Sequence, residues 1–409
     1  MSRILAIASG LALLLLAACA TTPAPPRAAA ERPLTILVSI DAFRADYLDR
    51  GVTPNLSRLA AEGAHGAMRP SFPSKTFPNH YAIVTGLRPD RNGIVANNMT
   101  DPAIPGVVFS MSNEAAVVDA RWWNEAEPIW VTAERAGKVT GTEFWPGSEA
   151  AIQGVRPHYF THFNMATPSN DRVDQVLAWL DKPPAERPRF ETLYFDIVDA
   201  AGHAYGPDSK EVNQAAATVD AAIGRLVDGL KARGIVANIV VVADHGMAAV
   251  SASRRVFIDD YVPKGAYHTL DMGPIGTIYP EPGREAEVKA ALVGSHPHLE
   301  CWERGRLPER LHYGHNPRTA PIFCLPQTGW VLTTHDAHAR NPEGGEHGYD
   351  NASPEMAAVF VAAGPAFRHG VTLPTFDNVD VYPLLAKLVG VAPRPNDGKL
   401  TDLAPALAR

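Results

Sequence analysis

Six side chains of metal-ligating type stand in four short segments. Asp41 closes an apolar run. Asp199-Ala-Ala-Gly-His203 sets a carboxylate and an imidazole four residues apart, a spacing that brings both to one point on a single turn. Asp244-His245 sets the same two groups side by side, followed by Gly246. A fourth segment, Gly345-Glu346-His347-Gly348-Tyr349-Asp350, places an imidazole between glycines, which let the backbone bend and approach closely. Three carboxylates and three imidazoles (Asp41, Asp199, His203, Asp244, His245 and His347) are too many for one tetrahedral zinc and suit two metals. Such a pair, about 4 Å apart, can clamp the attacking and leaving oxygens of a phosphoryl transfer.

The residue that could attack is Thr76, in Ser71-Phe-Pro-Ser-Lys-Thr-Phe-Pro-Asn-His80. Proline just after it favours a helix starting there. Thr76 is therefore expected at a helix N-terminus, where unpaired N–H groups and the helix dipole favour a phosphate. A threonine hydroxyl is a weak nucleophile until activated, and direct coordination to a dication supplies that activation. A threonine before a helix is more often a cap, so Thr76 gains weight only beside the ligand clusters.

The elements that must position these groups are legible as apolar runs. Residues 34–40 end on Asp41, 192–198 on Asp199 and 235–243 on Asp244; a fourth run covers 357–362. Unalternated apolar runs read as strands buried on both faces, as in a parallel sheet. Helical patterns lie between them at 54–62, 170–180 and 210–232. This alternation predicts an α/β sandwich, a mostly parallel central sheet flanked by helices. In open α/β sheets ligands bind at the carboxyl ends of strands, which is where three runs would deliver an aspartate each. Residues 262–330, rich in Pro, Gly and His, read as a smaller subdomain or cap inserted into the catalytic domain, residues 34–409.

Arg3 and the apolar run Ile4–Ala18 have the form of a signal peptide, being too short for a membrane span. The run ends in Leu16-Ala17-Ala18-Cys19, which predicts a bacterial lipoprotein signal (1–18), lipidation at Cys19 and a Pro/Ala-rich tether (19–33). The protein is thus expected to be exported and anchored to a membrane, the outer membrane in particular. Of three cysteines, Cys301 and Cys324 remain as a pair, most simply a disulfide in an exported chain. A net charge of −7 argues against binding nucleic-acid duplexes, which takes a basic surface.

Taken in order, Lys75-Thr-Phe-Pro-Asn-His-Tyr81, Thr85-Gly-Leu87, Gly93-Ile-Val-Ala-Asn-Asn-Met99, Glu127-Pro-Ile-Trp130, Phe144-Trp-Pro-Gly-Ser-Glu149, Asp199–Pro207, Asp244-His-Gly-Met247 and His347-Gly-Tyr-Asp-Asn351 resemble the bacterial nucleotide pyrophosphatase/phosphodiesterases, type I phosphodiesterases of the alkaline phosphatase superfamily. The resemblance spans nearly the whole mature chain and implies an alkaline-phosphatase-like fold. It implies two Zn2+ per chain, one held by Asp41, Asp244, His245 and Thr76, the other by Asp199, His203 and His347. It implies that Thr76 attacks phosphorus, forming a nucleotidyl-threonine that water hydrolyses to a nucleoside 5′-monophosphate. Asn97, or Asn98 if the register is off by one, matches the asparagine that hydrogen-bonds a phosphoryl oxygen. Phe77 and Tyr194 match the two aromatics that hold the base, where stacking gives affinity with little base specificity. The chain departs from the family in having Asn92 where a histidine is frequent. His80 reads as a structural helix residue; His335 carries no assignment.

Three rival readings remain. Phosphate monoesterases with a threonine nucleophile share a Lys-Asp-Arg segment; here Phe144–Glu149 has no basic residue. Lipid or choline-phosphate diesters keep the same chemistry with another leaving group. A non-enzymatic binding lipoprotein has no reason to retain all six ligands and the threonine.

Overall fold

The computed structural model describes residues 32–337 and 343–408. The expected signal peptide, Cys19 and all but the end of the tether lie outside the described residues.

Eight strands form the central sheet: β1 (Leu34–Ile40), β2 (Ala64–Arg69), β3 (Thr140–Glu143), β4 (Tyr159–Thr161), β5 (Phe190–Phe195), β6 (Ala237–Val242), β7 (Ala358–Ala363) and β8 (Val371–Asp377). Their order is β8-β2-β7-β6-β1-β5-β3-β4. β1 runs parallel to both β5 and β6, with Val38 opposite Leu193 and Val241. The sheet is mostly parallel, and β7 is the exception, antiparallel to β6 and β2. The 357–362 run gave no hint of that reversal, because a strand buried on both faces has the same composition in either direction.

Helices cover the sheet. Those that matter for the site are α1 (Pro54–Ala61), α2 (Thr76–Thr85), α3 (Ser169–Leu180), α4 (Ile197–Tyr205) and α5 (Lys210–Ala232). α5 buries Val212, Ala216, Val219, Ile223, Leu226 and Leu230, an i, i+3/i+4 stripe. Ser209 starts that helix by accepting from the Val212 N–H at 3.2 Å.

The run ending on Asp199 behaves differently from expectation. The strand stops at Phe195, and the chain turns into α4 at Ile197, so Asp199 sits in a helix one turn before His203. A short apolar run cannot distinguish strand from buried helix by periodicity alone.

A second, five-stranded antiparallel sheet is built from residues 267–326, with its own core of Val256, Ile258, Ile278, Leu292 and Leu299 among others. Cys301 and Cys324 lie opposite each other on adjacent strands there and form a disulfide. Among the described residues, no helix is long and apolar enough to cross a membrane.

Candidate active site

β1 and β6 run side by side, so Asp41 and the Asp244-His245 pair emerge together at their carboxyl ends. The Asp41 N–H donates to the Phe195 carbonyl at 2.9 Å, continuing the ladder one step past the strand. Ala42 then takes φ +57°, a left-handed conformation uncommon for a residue with a Cβ. Its N–H donates to Asp244 Oδ1 at 3.3 Å. α4 brings Asp199 and His203 to the same edge. Close approach of α4 to the His347 loop depends on glycine: a Cβ on Gly345 would lie 2.6 Å from the Gly202 carbonyl oxygen.

All three expected imidazole ligands are oriented in one way. His245 Nδ1 faces the Gly246 carbonyl at 2.9 Å, His203 Nδ1 that of Gly345 at 2.8 Å, and His347 Nδ1 that of Ser74 at 2.9 Å. A carbonyl only accepts, so each Nδ1 carries the proton and each Nε2 presents a lone pair. Those lone pairs point at carboxylates. His245 Nε2 lies 2.9 Å from Asp244 Oδ2 and 3.5 Å from Asp41 Oδ1. Asp199 Oδ1 lies 3.5 Å from His203 Nε2 and 3.7 Å from His347 Nε2. Acceptor faces acceptor throughout: Asp41 Oδ1, Asp199 Oδ1 and Asp244 Oδ2 are buried with no hydrogen-bond donor. Buried, unsatisfied acceptors are costly, and converging lone pairs and carboxylates are the donor set a divalent cation fits.

The electrostatics point the same way. Burial, then the neighbouring Asp244 and Asp199 charges, push the Asp41 carboxyl well above its usual range. Burial and Asp199 do the same to Asp244. Burial lowers the His245 and His347 imidazoles, so both stand neutral. Short distances link Asp41, Asp244 and His245 on one side and Asp199, His203 and His347 on the other. The two sides adjoin: ligand atoms of Asp199, His245 and His347 all lie within 4.8 Å of one another, and His245 stacks on His347 at 3.6 Å between ring centroids. His80 lies within ligand distance of Asp41 and Asp244. Its two ring nitrogens are taken, however, by the Thr76 carbonyl (2.9 Å) and the Ser39 hydroxyl (2.8 Å), and burial pushes it down to about 3.

Thr76 is the first residue of α2, so Pro78 is the third rather than the first. Its Oγ1 lies 3.3 Å from His245 Nε2. Asn97 caps the helix: its Oδ1 accepts from the Phe77 N–H at 3.0 Å. That bond fixes the amide orientation and leaves Nδ2 as a donor beside the helix N-terminus. Asn98 is committed elsewhere, donating to Asp271 Oδ1 of the second sheet at 2.7 Å. Asn92, at the position of the family departure, donates to the Leu87 carbonyl and accepts from the Ile94 N–H, a buried structural role.

Beside Thr76 opens a cavity of about 650 Å³. Asp41, Thr76 and Asp199 form its floor; Phe77, Val118, Phe144, Trp145, Phe163 and Met165 contribute to its walls. Among the described residues, no Lys or Arg lines it. Phe77 packs against Phe109 and Trp123. Tyr194 also lines this cavity; it is 8% exposed, and its hydroxyl donates to Asp41 Oδ2 at 2.6 Å. Phe163, 45% exposed, is the large aromatic that faces the opening. Nothing in the aperiodic loop around it distinguishes it from any surface aromatic. Arg172, equally unremarked in sequence, is buried behind this wall. It pairs with Asp196 at 2.7 Å, donates to the Tyr194 and Thr167 carbonyls, and lies 5.0 Å from the Phe144 ring.

Residues 35–350 match the family of type I phosphodiesterases/nucleotide pyrophosphatases. This chain belongs to that family. It is accordingly a hydrolase of phosphodiester bonds. It is 41% identical over 386 residues to an uncharacterized pyrophosphatase/phosphodiesterase of Schizosaccharomyces pombe, covering 90% of this chain and 79% of that one. It is 37% identical over 375 residues to the human bis(5′-adenosyl)-triphosphatase ENPP4, covering 90% and 80%. Against human ectonucleotide pyrophosphatase/phosphodiesterase family member 1 it is 37% identical but spans only 41% of that longer protein. The fold superposes on murine ectonucleotide pyrophosphatase/phosphodiesterase 5 with a TM-score of 0.87 at 35% identity, over 92% of this chain and 100% of that one. An inactive threonine-to-alanine variant of that murine protein has been solved in complex with AMP, with the same TM-score.

Proposed function

We propose that this family member uses two Zn2+ and Thr76 to hydrolyse nucleotide phosphodiester or phosphoanhydride bonds, releasing a nucleoside 5′-monophosphate. The observation that carries this is the convergence of three imidazole lone pairs on three donorless carboxylate oxygens, with one of those imidazoles, His245, 3.3 Å from Thr76 Oγ1. Asp41, Asp244, His245 and Thr76 would hold one ion, and Asp199, His203 and His347 the other. Bound zinc would supply Lewis acidity, lowering the hydroxyl pKa and neutralising phosphoryl charge. Thr76 Oγ1 attacks phosphorus, the leaving group departs in line, and a nucleotidyl-threonine forms; water then breaks the new P–O bond and restores the hydroxyl. Asn97 Nδ2 donates to a phosphoryl oxygen whose charge grows in the transition state. Phe77 and Tyr194 flank the base, and Phe163, exposed at the same cavity, offers a further ring for that role.

The absence of Lys and Arg among the described residues lining the cavity supports a diester, since a monoester dianion calls for a cationic clamp. Exposed Met111, Val118 and Met165 at the rim are what would favour a lipid diester as a second reading. Three substrates separate these readings: a thymidine 5′-monophosphate aryl ester, the corresponding aryl phosphate monoester, and aryl phosphorylcholine. The zinc-loaded protein is expected to prefer the first. Preference for the second overturns the diesterase reading, and preference for the third moves the leaving-group assignment to lipids.

The proposal extends to the whole chain: residues 1–18 direct export from a bacterial cell, Cys19 carries the lipid anchor with an outer-membrane destination, and residues 262–330 act as a cap. Loss of fatty-acid labelling and of membrane fractionation on Cys19→Ala is the corresponding test.

A further inference from the structure

Resting on the reading of Thr76 as nucleophile and Asp244 as metal ligand, we infer that His80 is a positioning residue. Its imidazole, protonated on Nδ1, ties down the backbone of Thr76, stands against the Asp244 carboxylate and is itself oriented by Ser39.

The ring is completely buried and makes five identifiable contacts. Nδ1 lies 2.9 Å from the Thr76 carbonyl oxygen and 3.4 Å from Asp244 Oδ2. Both are acceptors only, so Nδ1 carries the proton; its N–H donates to the carbonyl and faces the carboxylate without a hydrogen bond to it. Nε2 lies 2.8 Å from Ser39 Oγ, so the serine must donate there. Ser39 sits on β1 two residues before Asp41. The Trp145 Nε1–H donates to the His80 carbonyl at 3.2 Å, and the Trp145 and Tyr194 rings meet the imidazole edge to face at 5.0 and 5.2 Å.

His80 therefore links three elements that must keep a fixed relation for in-line attack: the first turn of α2, the end of β1, and the residue after β6. Thr76 and His80 are one helical turn apart. The Nδ1–H bond adds a side-chain tie to the nucleophile's own carbonyl, at the helix end where fraying would otherwise move Oγ1. The same N–H faces Asp244 Oδ2 at 3.4 Å, an electrostatic contact behind the carboxylate. Such outer contacts orient ligands, and their loss costs about 10–100-fold in metal affinity or activity.

The test uses the zinc-loaded full chain with ¹⁵N-labelled histidine. The His80 resonances should show a protonated Nδ1 and an unprotonated Nε2, and Ser39→Ala should move Nε2 most. Protonation on Nε2 instead would overturn the inference whatever the kinetics. His80→Leu should lower kcat on the thymidine ester by about 100-fold with KM little changed, and weaken zinc in chelator competition by about 10-fold. His80→Asn, which restores a donor near the Nδ1 position, should recover most of the kcat loss; equal loss in both variants would reduce His80 to packing. If His80→Leu does not fold, Ser39→Ala and the tautomer still decide. Thr76→Ala serves as the separate control: activity in that variant would sink the nucleophile reading while leaving the His80 tautomer measurable.

Discussion

The ligand cluster and the cavity wall stand side by side and are built by opposite means. In the cluster five of the six side chains are fixed from behind. Each imidazole is pinned by a backbone carbonyl, Asp41 by Tyr194, and Asp244 by the Ala42 N–H. The wall presents Phe163 and Met165, 45% and 70% exposed, from an aperiodic loop held through carbonyls that accept from Arg172. Chemistry that serves every diester needs fixed geometry. A surface that recognises one leaving group or base can vary without disturbing it. Substitutions in the cluster should therefore act on kcat and metal affinity, and substitutions in the wall on KM.

The largest effect expected is at Thr76. Thr76→Ala should retain zinc stoichiometry and thermal stability while kcat falls at least about 10³-fold. Retained turnover would mean that a water, not Thr76, attacks. Chelation should abolish wild-type activity, and zinc should restore it best among divalent metals; recovery with magnesium alone would contradict the nitrogen-rich donor set.

Tyr194 tests where the border between the two regions runs. As a base platform, its replacement by Phe would be nearly silent, because a ring remains. As the partner of Asp41, Tyr194→Phe should weaken zinc by about 10-fold and leave KM for nucleotide esters unchanged. A variant silent in both zinc affinity and KM would return Tyr194 to the wall.

Glu143, at the end of β3 beneath Phe144, probes the wall's foundation. Burial raises its carboxyl to about 7, against a smaller opposing effect of its Thr161 hydrogen bond and Arg172. A carboxyl raised on folding is destabilising when ionised: its contribution is intact below about 4.5 and is lost as pH rises through about 7. Glu143→Gln keeps an acceptor for Thr161 without the charge. Its melting temperature should match wild type near pH 5 and exceed it at pH 8, by a stability difference on the order of 2 kcal/mol. Parallel curves for the two proteins would show that Glu143 is solvated on ionisation.

The two regions also differ in how far the sequence disclosed them. Asp41 and Asp244 were legible because buried parallel strands leave long apolar runs that end abruptly on a charge. The Asp199–His203 pair was legible as a motif, but its helix was not, since Ile197 and Val198 extend the apolar run past the true strand end. Thr76 was placed correctly at a helix start because proline punctuates that segment. The wall left no comparable trace. Arg172 reads as one more charge on an amphipathic helix, yet it is buried and holds the loop. The direction of β7 and the Tyr194–Asp41 bond are set by tertiary packing, which local pattern does not encode.

The smallest effect, and the most informative about substrate, is at the wall itself. Phe163→Ala removes an exposed ring that touches Phe144 and Tyr194 edge-on at 5.3 and 6.0 Å, so folding should be little affected. If a base stacks there, KM for thymidine esters should rise about 10-fold, the lower end of one base–aromatic contact, with kcat held. Bis-aryl phosphates, which carry no base, should be indifferent. Phe77→Ala should give the same discrimination with some added loss of stability, because its ring also packs on Phe109 and Trp123. Equal effects on both substrates would show that neither ring reads a base. The apolar rim of Met111, Val118 and Met165 would then be the better guide, and the leaving group would have to be sought among lipids.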